Sequence, residues 1–327
     1  MKQVFVSWVP FQRRSLSMKF HFGYELKFLS SSSKNRLLRP FEYILKGWET
    51  LKLLLRQQPE VIWVQLPPTP LLYIAYLYKA LFSQQITIVA DCHNATFRPP
   101  WISLPGMVYL LNRCQLVLVH NDWVEKQAVT LGVSSGCLYI LEDPSVVTEQ
   151  KEVQSKDIFP HPWILCPCSF NRDEPIPTIL DAARLIPDIT LVLTGNTNRA
   201  QGIHDLSNVP DNVKLTGFLP TGEFDNLLYT TDVVLGLTKL EGVQLSVANE
   251  AVGVGKPMLL SNTNLLKKLF YMGAIYVDCL DPNSIAKGCK EALSRKEQLT
   301  EEVLELRLKR KESWLMQAER VETFLNN

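Results

Sequence analysis

Short apolar runs alternate with longer helical patterns along this chain of 327 residues, and the alternation restricts the fold more than any other feature. Such runs predict buried strands, and strands that alternate with helices predict βα units around parallel sheets. The runs of the first half are Val4–Val6, Val61–Gln65, Thr87–Ala90, Leu116–His120 and Leu138–Leu141. Those of the second half are Ile164–Cys168, Thr190–Thr194, Val213–Thr216, Val233–Leu237, Pro257–Leu260 and Ala274–Val277. The sequence therefore predicts an α/β protein with two parallel sheets.

A segment with three prolines and a polar run lies between the two halves. The prolines are Pro144, Pro160 and Pro162, and the polar run extends from Thr148 to Asp157. This composition is typical of a linker. We therefore predict a first domain over residues 1–145, a linker over 146–162 and a second domain over 163–300. Ligands commonly bind in the cleft between two such domains.

Composition and charge limit the classes of partner. Apolar residues make up 46% of the chain and charged residues 20%, which is ordinary for a globular protein. Residues 1–79 hold 12 Lys and Arg against 4 Asp and Glu, a net charge of +8 in a chain whose total is +1. A basic segment favours an anionic partner, either a membrane surface or a phosphorylated acceptor, and a solvated positive face is the alternative. Nucleic acid is not expected, because no nucleic-acid-binding motif accompanies the charge.

Cysteine spacing and apolar runs indicate the compartment. The seven cysteines form no C-x-x-C pair and no zinc spacing, and most lie in apolar runs as small buried side chains. A reducing compartment is the default for such cysteines. No apolar run reaches the ~20 residues of a membrane span, and the first residues predict a strand rather than a signal peptide. A cytoplasmic protein with peripheral contact to the inner face of the plasma membrane is therefore expected.

The stretch from Glu241 to Pro257 is the strongest candidate for a ligand site. The apolar run before it predicts a parallel strand, so Glu241 lies in the loop at that strand's carboxyl end, where open α/β sheets bind ligands. Ser246 is placed to cap the following helix, whose free first-turn N–H groups suit a diphosphate. The ionised carboxylate of Glu250, about one turn into the helix, only accepts hydrogen bonds and suits vicinal hydroxyls. The alternative is a solvated loop residue followed by a first-turn glutamate that the helix dipole favours.

Polar residues also follow the strands of the first half. Arg13, Arg14 and Ser15 open a helix after the first strand, where guanidinium forks and backbone N–H groups suit a phosphate. Exposed arginines without a ligand are the alternative.

A second polar group follows the predicted strand Thr87–Ala90. His93 is placed to donate to a developing negative charge or to orient an acceptor hydroxyl, and Asn94 flanks it. Asp91 is placed to act as a general base or to hold the tautomer of His93. His120 and Asn121, at the next strand end, are expected to line the same cleft, and a purely structural histidine is the alternative.

Two turns of the second half are candidates for nucleotide contacts. Gly195 allows a close backbone approach, and Asn196 accepts left-handed geometry. Gly217 and Phe218 end the next strand, and an ordinary strand-to-helix turn is the alternative. No DXD-type pair stands in a convincing loop, so no required metal is predicted.

The stretch from Glu241 to Pro257 resembles the donor-site signature of glycosyltransferases with two Rossmann domains, the GT-B type. In their large retaining family, the first of two glutamates contacts the transferred sugar and the second holds the nucleotide ribose. Glu250 and Gly255–Pro257 match that pattern, whereas Glu241 stands one position out of register. The resemblance implies a GT-B fold, with two Rossmann-like domains facing across a cleft. It also implies that a terminal helix over 301–327 braces the first domain.

The same resemblance implies how the donor binds. Members of the family hold the donor diphosphate with an Arg and a Lys after the first strand of the second domain, and this chain offers Arg172 without a lysine. The implied donor contacts are Arg172, Gly195, Asn196, Gly217, Phe218, Gly242, Val243, Gln244, Leu245, Ser246 and Glu250.

The order of short motifs in the first half is similar to that of the chitobiosyldiphosphodolichol β-mannosyltransferase family. The motifs are Gln65–Pro68, Asp91–Asn94, Val119–Asn121 and Glu142–Pro144. Members use a GDP-sugar and a lipid-diphosphate acceptor, so the resemblance implies similar substrates. The expected catalytic residues are Asp91, His93 and Glu241, and the expected acceptor or phosphate contacts are Arg13, Arg14, Ser15, Asn94, His120 and Asn121.

The sequence thus predicts a hexosyltransferase, with mannose as one candidate sugar. It would move the sugar from a nucleotide diphosphate-sugar, with GDP or UDP, to a hydroxyl of a lipid-linked or saccharide acceptor. The expected setting is lipid-linked glycan, polysaccharide or glycolipid synthesis, and no cofactor is predicted beyond the donor. Two alternatives stay open: a nucleotide-sugar epimerase or hydrolase of the same fold, and a non-catalytic GT-B-like binding subunit.

Overall fold

The computed structural model describes residues 1–30, 39–144 and 158–326, which divide into two compact units. Unit 1 comprises Met1–Pro144 and Ser313–Asn327, and unit 2 comprises Ser145–Glu312. Most of the predicted linker, residues 146–157, lies outside the described residues. The predicted domain bounds stay predictions. None of the helices within the described ranges is long and apolar enough to cross a bilayer.

Unit 1 is built around a parallel sheet of six strands. The strands are β1 (Gln3–Ser7), β2 (Glu25–Phe28), β3 (Val61–Leu66), β4 (Thr87–Cys92), β5 (Leu116–Val119) and β6 (Leu138–Ile140), in the order β2-β1-β3-β4-β5-β6. The helices are α1 (Arg13–Phe22), α2 (Arg39–Gln57), α3 (Pro70–Phe82), α4 (Met107–Leu111), α5 (Asp122–Thr130) and the end of α11 (Lys296–Asn326).

Both faces of this sheet are covered, because alternate strand residues enter two different apolar clusters. Ile62 and Val64 pack in one cluster with α3, whereas Val61 and Trp63 pack in the other. The second cluster also receives Trp314 from the end of α11. Strands buried on both faces are the reason that the sequence shows continuous apolar runs rather than alternation.

Unit 2 has a second parallel sheet of six strands. The strands are β7 (Trp163–Pro167), β8 (Thr190–Thr194), β9 (Val213–Gly217), β10 (Val233–Gly236), β11 (Met258–Ser261) and β12 (Ala274–Val277), in the order β12-β11-β10-β7-β8-β9. The helices are α6 (Ile176–Arg184), α7 (Thr221–Thr230), α8 (Ser246–Val254), α9 (Asn264–Leu269), α10 (Pro282–Ser294) and the first part of α11. Helices cover both faces of this sheet as well.

The predicted fold class is confirmed. Every predicted strand coincides with an observed one within one or two residues. The strand β2 was not predicted, because it has four residues, lies at the sheet edge and buries none of its side chains fully. All seven cysteines belong to the described residues and are free thiols.

Candidate functional site

The carboxyl ends of β7 and β10 mark the place where an α/β sheet with this strand order has its ligand crevice. These strands are neighbours, and the chain leads from them to opposite sides of the sheet, which is the topological switch point where α/β sheets bind ligands. The loops that border the crevice are residues 168–175 after β7 and 237–245 after β10.

Hydrogen bonds hold these two loops together. The carboxylate of Asp173 accepts the hydroxyl of Thr238 at 2.9 Å, and the backbone N–H of Lys239 donates to the Asp173 carbonyl at 2.8 Å. Within the first loop, the carboxylate of Glu174 accepts the N–H groups of Ser169 and Asn171 at 2.9 and 3.0 Å. The acidic residues of this edge are therefore engaged in shaping the loops.

Three basic residues belong to this edge of unit 2. Arg172 is exposed in the first loop, and Lys239 is exposed in the second. Arg199 lies in a 3₁₀ turn after β8, and its Nη2 donates to Oδ1 of Asn171 at 2.8 Å. Arg199 was not among the predicted residues, because the family pattern places both cations in the loop after the first strand of the second domain. The available signal was its position five residues after the predicted strand Thr190–Thr194.

Gly195 and Asn196 occupy the end of β8, but not in the predicted way. Gly195 has a φ of +130°, and a Cβ there would lie 1.9 Å from the carbonyl oxygen of Cys168. The close backbone approach that requires this glycine is thus within the protein. Asn196 is extended rather than left-handed, and its side chain caps the 3₁₀ turn by accepting the N–H of Asn198. This corrects the prediction of its backbone geometry.

Helix α8 presents its amino end to the second loop. Ser246 is its first residue and is exposed, whereas the N-cap position is Leu245, which offers no side-chain acceptor. The prediction that Ser246 caps the helix was therefore wrong, and Leu245 at the N-cap makes no side-chain hydrogen bond to the first turn. Glu250 is half-buried in the fifth helical position, about one turn into the helix as predicted. Gly242 is buried, and Val243, Gln244 and Leu245 are half-buried.

Glu241 is engaged with another helix. Its Oε1 accepts the N–H of Asn264 at 2.5 Å and that of Leu265 at 3.2 Å, at the start of α9. A carboxylate at a helix amino end is favoured by the helix dipole. At the end of β9, Gly217 has a φ of +75° and Phe218 is 81% exposed, so an aromatic face is open to solvent there.

In unit 1, the guanidinium of Arg14 is the centre of a buried polar cluster. Its Nε lies 3.0 and 3.3 Å from the carboxylate oxygens of Asp91, and its Nη1 donates to Asp143 at 2.9 Å. It also donates to the carbonyls of Leu141 and Glu142, both at 2.9 Å. Burial lowers the pKa of Arg14, but the two carboxylates outweigh burial and raise it. The prediction that Arg14 holds a ligand phosphate needs correction, because these donors are directed to protein oxygens.

Asp91 and His93 differ in their access to solvent. The Asp91 side chain is fully buried beside Arg14, and its Oδ2 lies 3.9 Å from Nε2 of His93, which is too long for a hydrogen bond. The His93 side chain is 24% exposed, and its Nε2 lies 2.6 Å from Nε2 of Gln12. Burial lowers the pKa of His93, which leaves the ring neutral near pH 7. The geometry thus does not support Asp91 as a general base or as the partner that fixes the His93 tautomer, and it identifies Gln12 as a contact that the sequence did not reveal.

His120 packs beside His93. Their ring centroids lie 4.4 Å apart, and Nδ1 of His120 is 3.6 Å from Oδ1 of Asp143. Within the described structure, Nε2 of His120 is buried without a hydrogen-bond partner. Burial, together with the charge of Arg14, lowers the pKa of His120 to about 3. Burial opposes ionisation of Asp143, but its cationic neighbours, His120 when protonated and Arg14, lower the pKa of Asp143 to about 2.

The remaining residues predicted to bind the acceptor differ in burial and in hydrogen bonding. Asn121 caps α5, since its side chain accepts the N–H of Val124 at 3.1 Å, so its role in binding needs correction. Ser15 is buried, and its hydroxyl donates to the carbonyl of Gln12 at 3.1 Å. Arg13 and Asn94 are half-buried at the starts of α1 and of a 3₁₀ turn. Among the described residues, no group of three or more His, Cys, Asp or Glu side chains is arranged to hold a metal ion.

Residues 149–307 match the family model of Glycosyl transferases group 1. This range contains the loops after β7, β8 and β10 and all of α8. No curated protein sequence matches the chain.

Solved structures share the fold over nearly the whole chain. HepE of Anabaena, in complex with UDP and glucose, has a TM-score of 0.70 and 12% identity, covering 100% of this chain and 99% of that one. Sucrose-phosphate synthase from Thermosynechococcus elongatus has a TM-score of 0.70 and 14% identity, with coverages of 100% and 98%. UDP-GlcNAc 2-epimerase from Methanocaldococcus jannaschii has a TM-score of 0.57 and 13% identity, with coverages of 90% and 93%. The fold of the two units is GT-B, and the family match confirms the prediction of a GT-B glycosyltransferase. The similarity to chitobiosyldiphosphodolichol β-mannosyltransferases stays a prediction.

Proposed function

We propose that this GT-B chain transfers a hexosyl unit from a UDP- or GDP-sugar to an acceptor hydroxyl, with unit 2 binding the donor. The observation that carries the proposal is the Glycosyl transferases group 1 match, since its range includes the whole switch point of unit 2. HepE was crystallised with UDP and with UDP-glucose, which makes UDP the first nucleotide to test.

The donor diphosphate is proposed to bind at the amino end of α8. The N–H groups in the first turn of a helix suit an anion, and the N-cap residue Leu245 does not engage them with its side chain. Arg172 is exposed beside the crevice, and Arg199 lies on the neighbouring loop. Charge that develops on the leaving diphosphate would be stabilised by these donors, which is electrostatic catalysis. Glu250 would accept hydrogen bonds from the ribose hydroxyls.

His93 is proposed as the acceptor-side contact of unit 1. It is the one member of the Asp91–His93–His120 group with appreciable solvent access, and its neutral ring can accept a proton from a hydroxyl. Asp91 and Arg14 would act as positioning residues, because they fix the ends of β4 and α1 without reaching solvent.

The nature of the acceptor follows from charge. Residues 1–79 carry a net charge of +8, which favours a phosphorylated or lipid-linked acceptor at an anionic membrane surface. We therefore extend the proposal to lipid-linked glycan, glycolipid or polysaccharide synthesis, with mannose among the candidate sugars.

Nucleotide-dependent thermal stability tests the donor site. UDP, GDP, ADP and dTDP, and their sugars, would be added to the wild type, to Glu250→Gln and to Glu301→Gln, a control on the exposed side of α11. One nucleotide should stabilise the wild type and the control, since a ligand at about 100 times its Kd stabilises a native state by ~2.7 kcal/mol. Glu250→Gln should lose most of that shift. No shift with any nucleotide at millimolar concentration would contradict the proposal.

Product analysis then separates the alternatives. A transferase releases nucleoside diphosphate faster when a suitable acceptor is present. Equal release without acceptor would indicate a hydrolase, and conversion of the donor sugar without release would indicate an epimerase. Binding without any turnover would indicate a non-catalytic subunit.

A further inference from the structure

Helix α2 packs one face against the described part of unit 1 and leaves a second, apolar face exposed there. The inner face is buried and includes Lys46, Gly47, Thr50 and Leu54. The opposite face repeats at intervals of three, four and seven residues, so its side chains form one stripe along the helix. The stripe consists of Phe41, Ile44, Leu45, Trp48 and Leu55, each between 40% and 68% exposed.

Packing within unit 1 does not account for this stripe. A surface helix normally places polar residues opposite its buried face. Single exposed apolar residues are ordinary, but a contiguous row of this size marks an interaction surface. The neighbouring helix α3 adds Leu77, Leu81 and Phe82, which are 44%, 63% and 51% exposed.

Charge around the stripe points to an anionic partner. Lys52 lies on the same face as the stripe, with its Nζ 5.1 Å from the centroid of the Trp48 ring, and Arg56 is exposed next to it. Glu42 and Glu49 flank the stripe on one side, but α2 as a whole carries four basic residues against these two acids. A tryptophan with a lysine ammonium over its ring suits the headgroup level of a bilayer, where the indole meets the acyl chains and the ammonium meets lipid phosphate.

The inner face of α2 connects the stripe to the region of His93, the proposed acceptor-side contact. Lys46 Nζ donates to the carbonyl of Trp8 at 2.9 Å, and the Trp8 indole donates to Thr50 at 3.0 Å. Trp8 directly follows β1, and Gln12, four residues later, contacts His93. Hydrogen bonds thus link α2, which carries the stripe, to the segment that contacts His93.

We infer that the stripe of α2 is an interfacial face that lies on an anionic lipid surface. Leu45 and Trp48 enter the headgroup region, and Lys52 binds lipid phosphate. Binding of this kind scales with the apolar area buried and with attraction to anionic lipid. The inference rests on the proposed function only where it places the acceptor at the membrane. Vesicle binding is therefore measured without donor, and its failure would leave the proposed sugar transfer untouched.

Co-sedimentation with vesicles tests the inference. The probes are phosphatidylcholine vesicles with and without phosphatidylglycerol. The test variant carries Ile44→Gln, Leu45→Gln and Trp48→Gln. The control carries Leu308→Gln and Met316→Gln on α11, where the side chains are 60% and 57% exposed.

Wild type and control should bind the anionic vesicles, and the stripe variant should lose at least about tenfold in partitioning. Lys52→Gln should weaken binding and reduce its salt dependence. Absence of wild-type binding would overturn the inference, as would equal binding by the stripe variant. Light scattering tests whether a second copy of the chain binds the stripe instead. If the wild type is a dimer that binds no vesicles and the stripe variant is a monomer, the stripe is a dimer interface.

Discussion

The arginines near the carboxyl ends of the two sheets differ in burial and in the charge of their partners. In unit 1, Arg14 is 3% exposed and is neutralised by Asp91 and Asp143, which end β4 and follow β6. In unit 2, Arg172 is exposed, and Arg199 donates to the neutral amide oxygen of Asn171.

The two sheets differ in which groups bind the carboxylates near their carboxyl ends. Asp173 and Glu174 of unit 2 accept hydrogen bonds from a hydroxyl and from backbone N–H groups, whereas Asp91 and Asp143 of unit 1 pair with a guanidinium. A basic residue at a strand end is therefore a ligand candidate only when the acids of adjacent strands are engaged elsewhere. By this criterion Arg172 and Arg199 are the candidates for binding an anion in unit 2, and Arg14 serves the fold of unit 1.

Replacing the buried arginine should have the largest effect. Arg14→Met leaves Asp91 and Asp143 without their cation, and breaking a buried pair in this way costs about 3–5 kcal/mol of unfolding free energy. Urea denaturation measures the loss. Arg172→Met is the matched control in unit 2, and it should change stability by less than about 0.5 kcal/mol.

The double variant Arg14→Met, Asp91→Asn sharpens this test. It removes one of the two unpaired charges and should recover part of the lost stability. If Arg14→Met unfolds at the wild-type urea concentration, the cluster is not structural, and Arg14 returns as a candidate phosphate ligand.

The second prediction concerns the cations of unit 2. Arg172→Ala and Arg199→Ala should each weaken UDP or GDP binding, because hydrogen bonds to charged groups contribute about 1.5–3 kcal/mol, or roughly ten- to a hundredfold in Kd. Isothermal titration calorimetry measures the change. Arg184→Ala is the control, since that side chain is 41% exposed and pairs with Asp181. An equal loss in the control would mean that general charge, and not these two positions, attracts the nucleotide.

Sequence patterns predicted the strands well because these strands are buried on both faces, which leaves continuous apolar runs. The strand β2 has no such run, since it lies at an edge and keeps its side chains partly in water. The candidate sites were predicted less well, because a side chain's partner comes from distant positions. Arg14 meets residues 77 and 129 positions away, and no local pattern indicates those contacts. Arg199 likewise meets Asn171 because β7 and β8 are neighbours in the sheet, although the two residues are 28 positions apart in sequence.

The polar cluster of unit 1 should also make stability depend on pH. The pKa of His120 is about 3 in the folded protein, below its ordinary value of about 6.5, so the unfolded chain binds more protons between these values. Unfolding free energy should therefore fall as pH decreases from 6.5 towards 3. The expected loss from this residue is about 1–2 kcal/mol between pH 7 and pH 5.

Urea denaturation of the wild type and His120→Asn across this range measures the effect. The variant should show a flatter dependence. Arg14, Asp143 and His93 face the same ring, and Asp143 titrates separately, since its pKa of about 2 confines its contribution to lower pH. Parallel curves for wild type and variant would show that His120 is not the group responsible.

The smallest expected effect concerns Glu241. Like the acids of unit 1, this carboxylate of unit 2 binds groups of the protein itself. Its carboxylate caps α9, so Glu241→Ala should cost about 1 kcal/mol of stability, as the loss of a helix cap does. Glu241→Gln keeps an oxygen acceptor and should cost less. If capping is its whole role, both variants should release UDP or GDP from the donor sugar at the wild-type rate. If the carboxylate also contacts the transferred sugar, Glu241→Gln should lose turnover while keeping most of its stability, and unit 2 would then share one side chain between folding and chemistry.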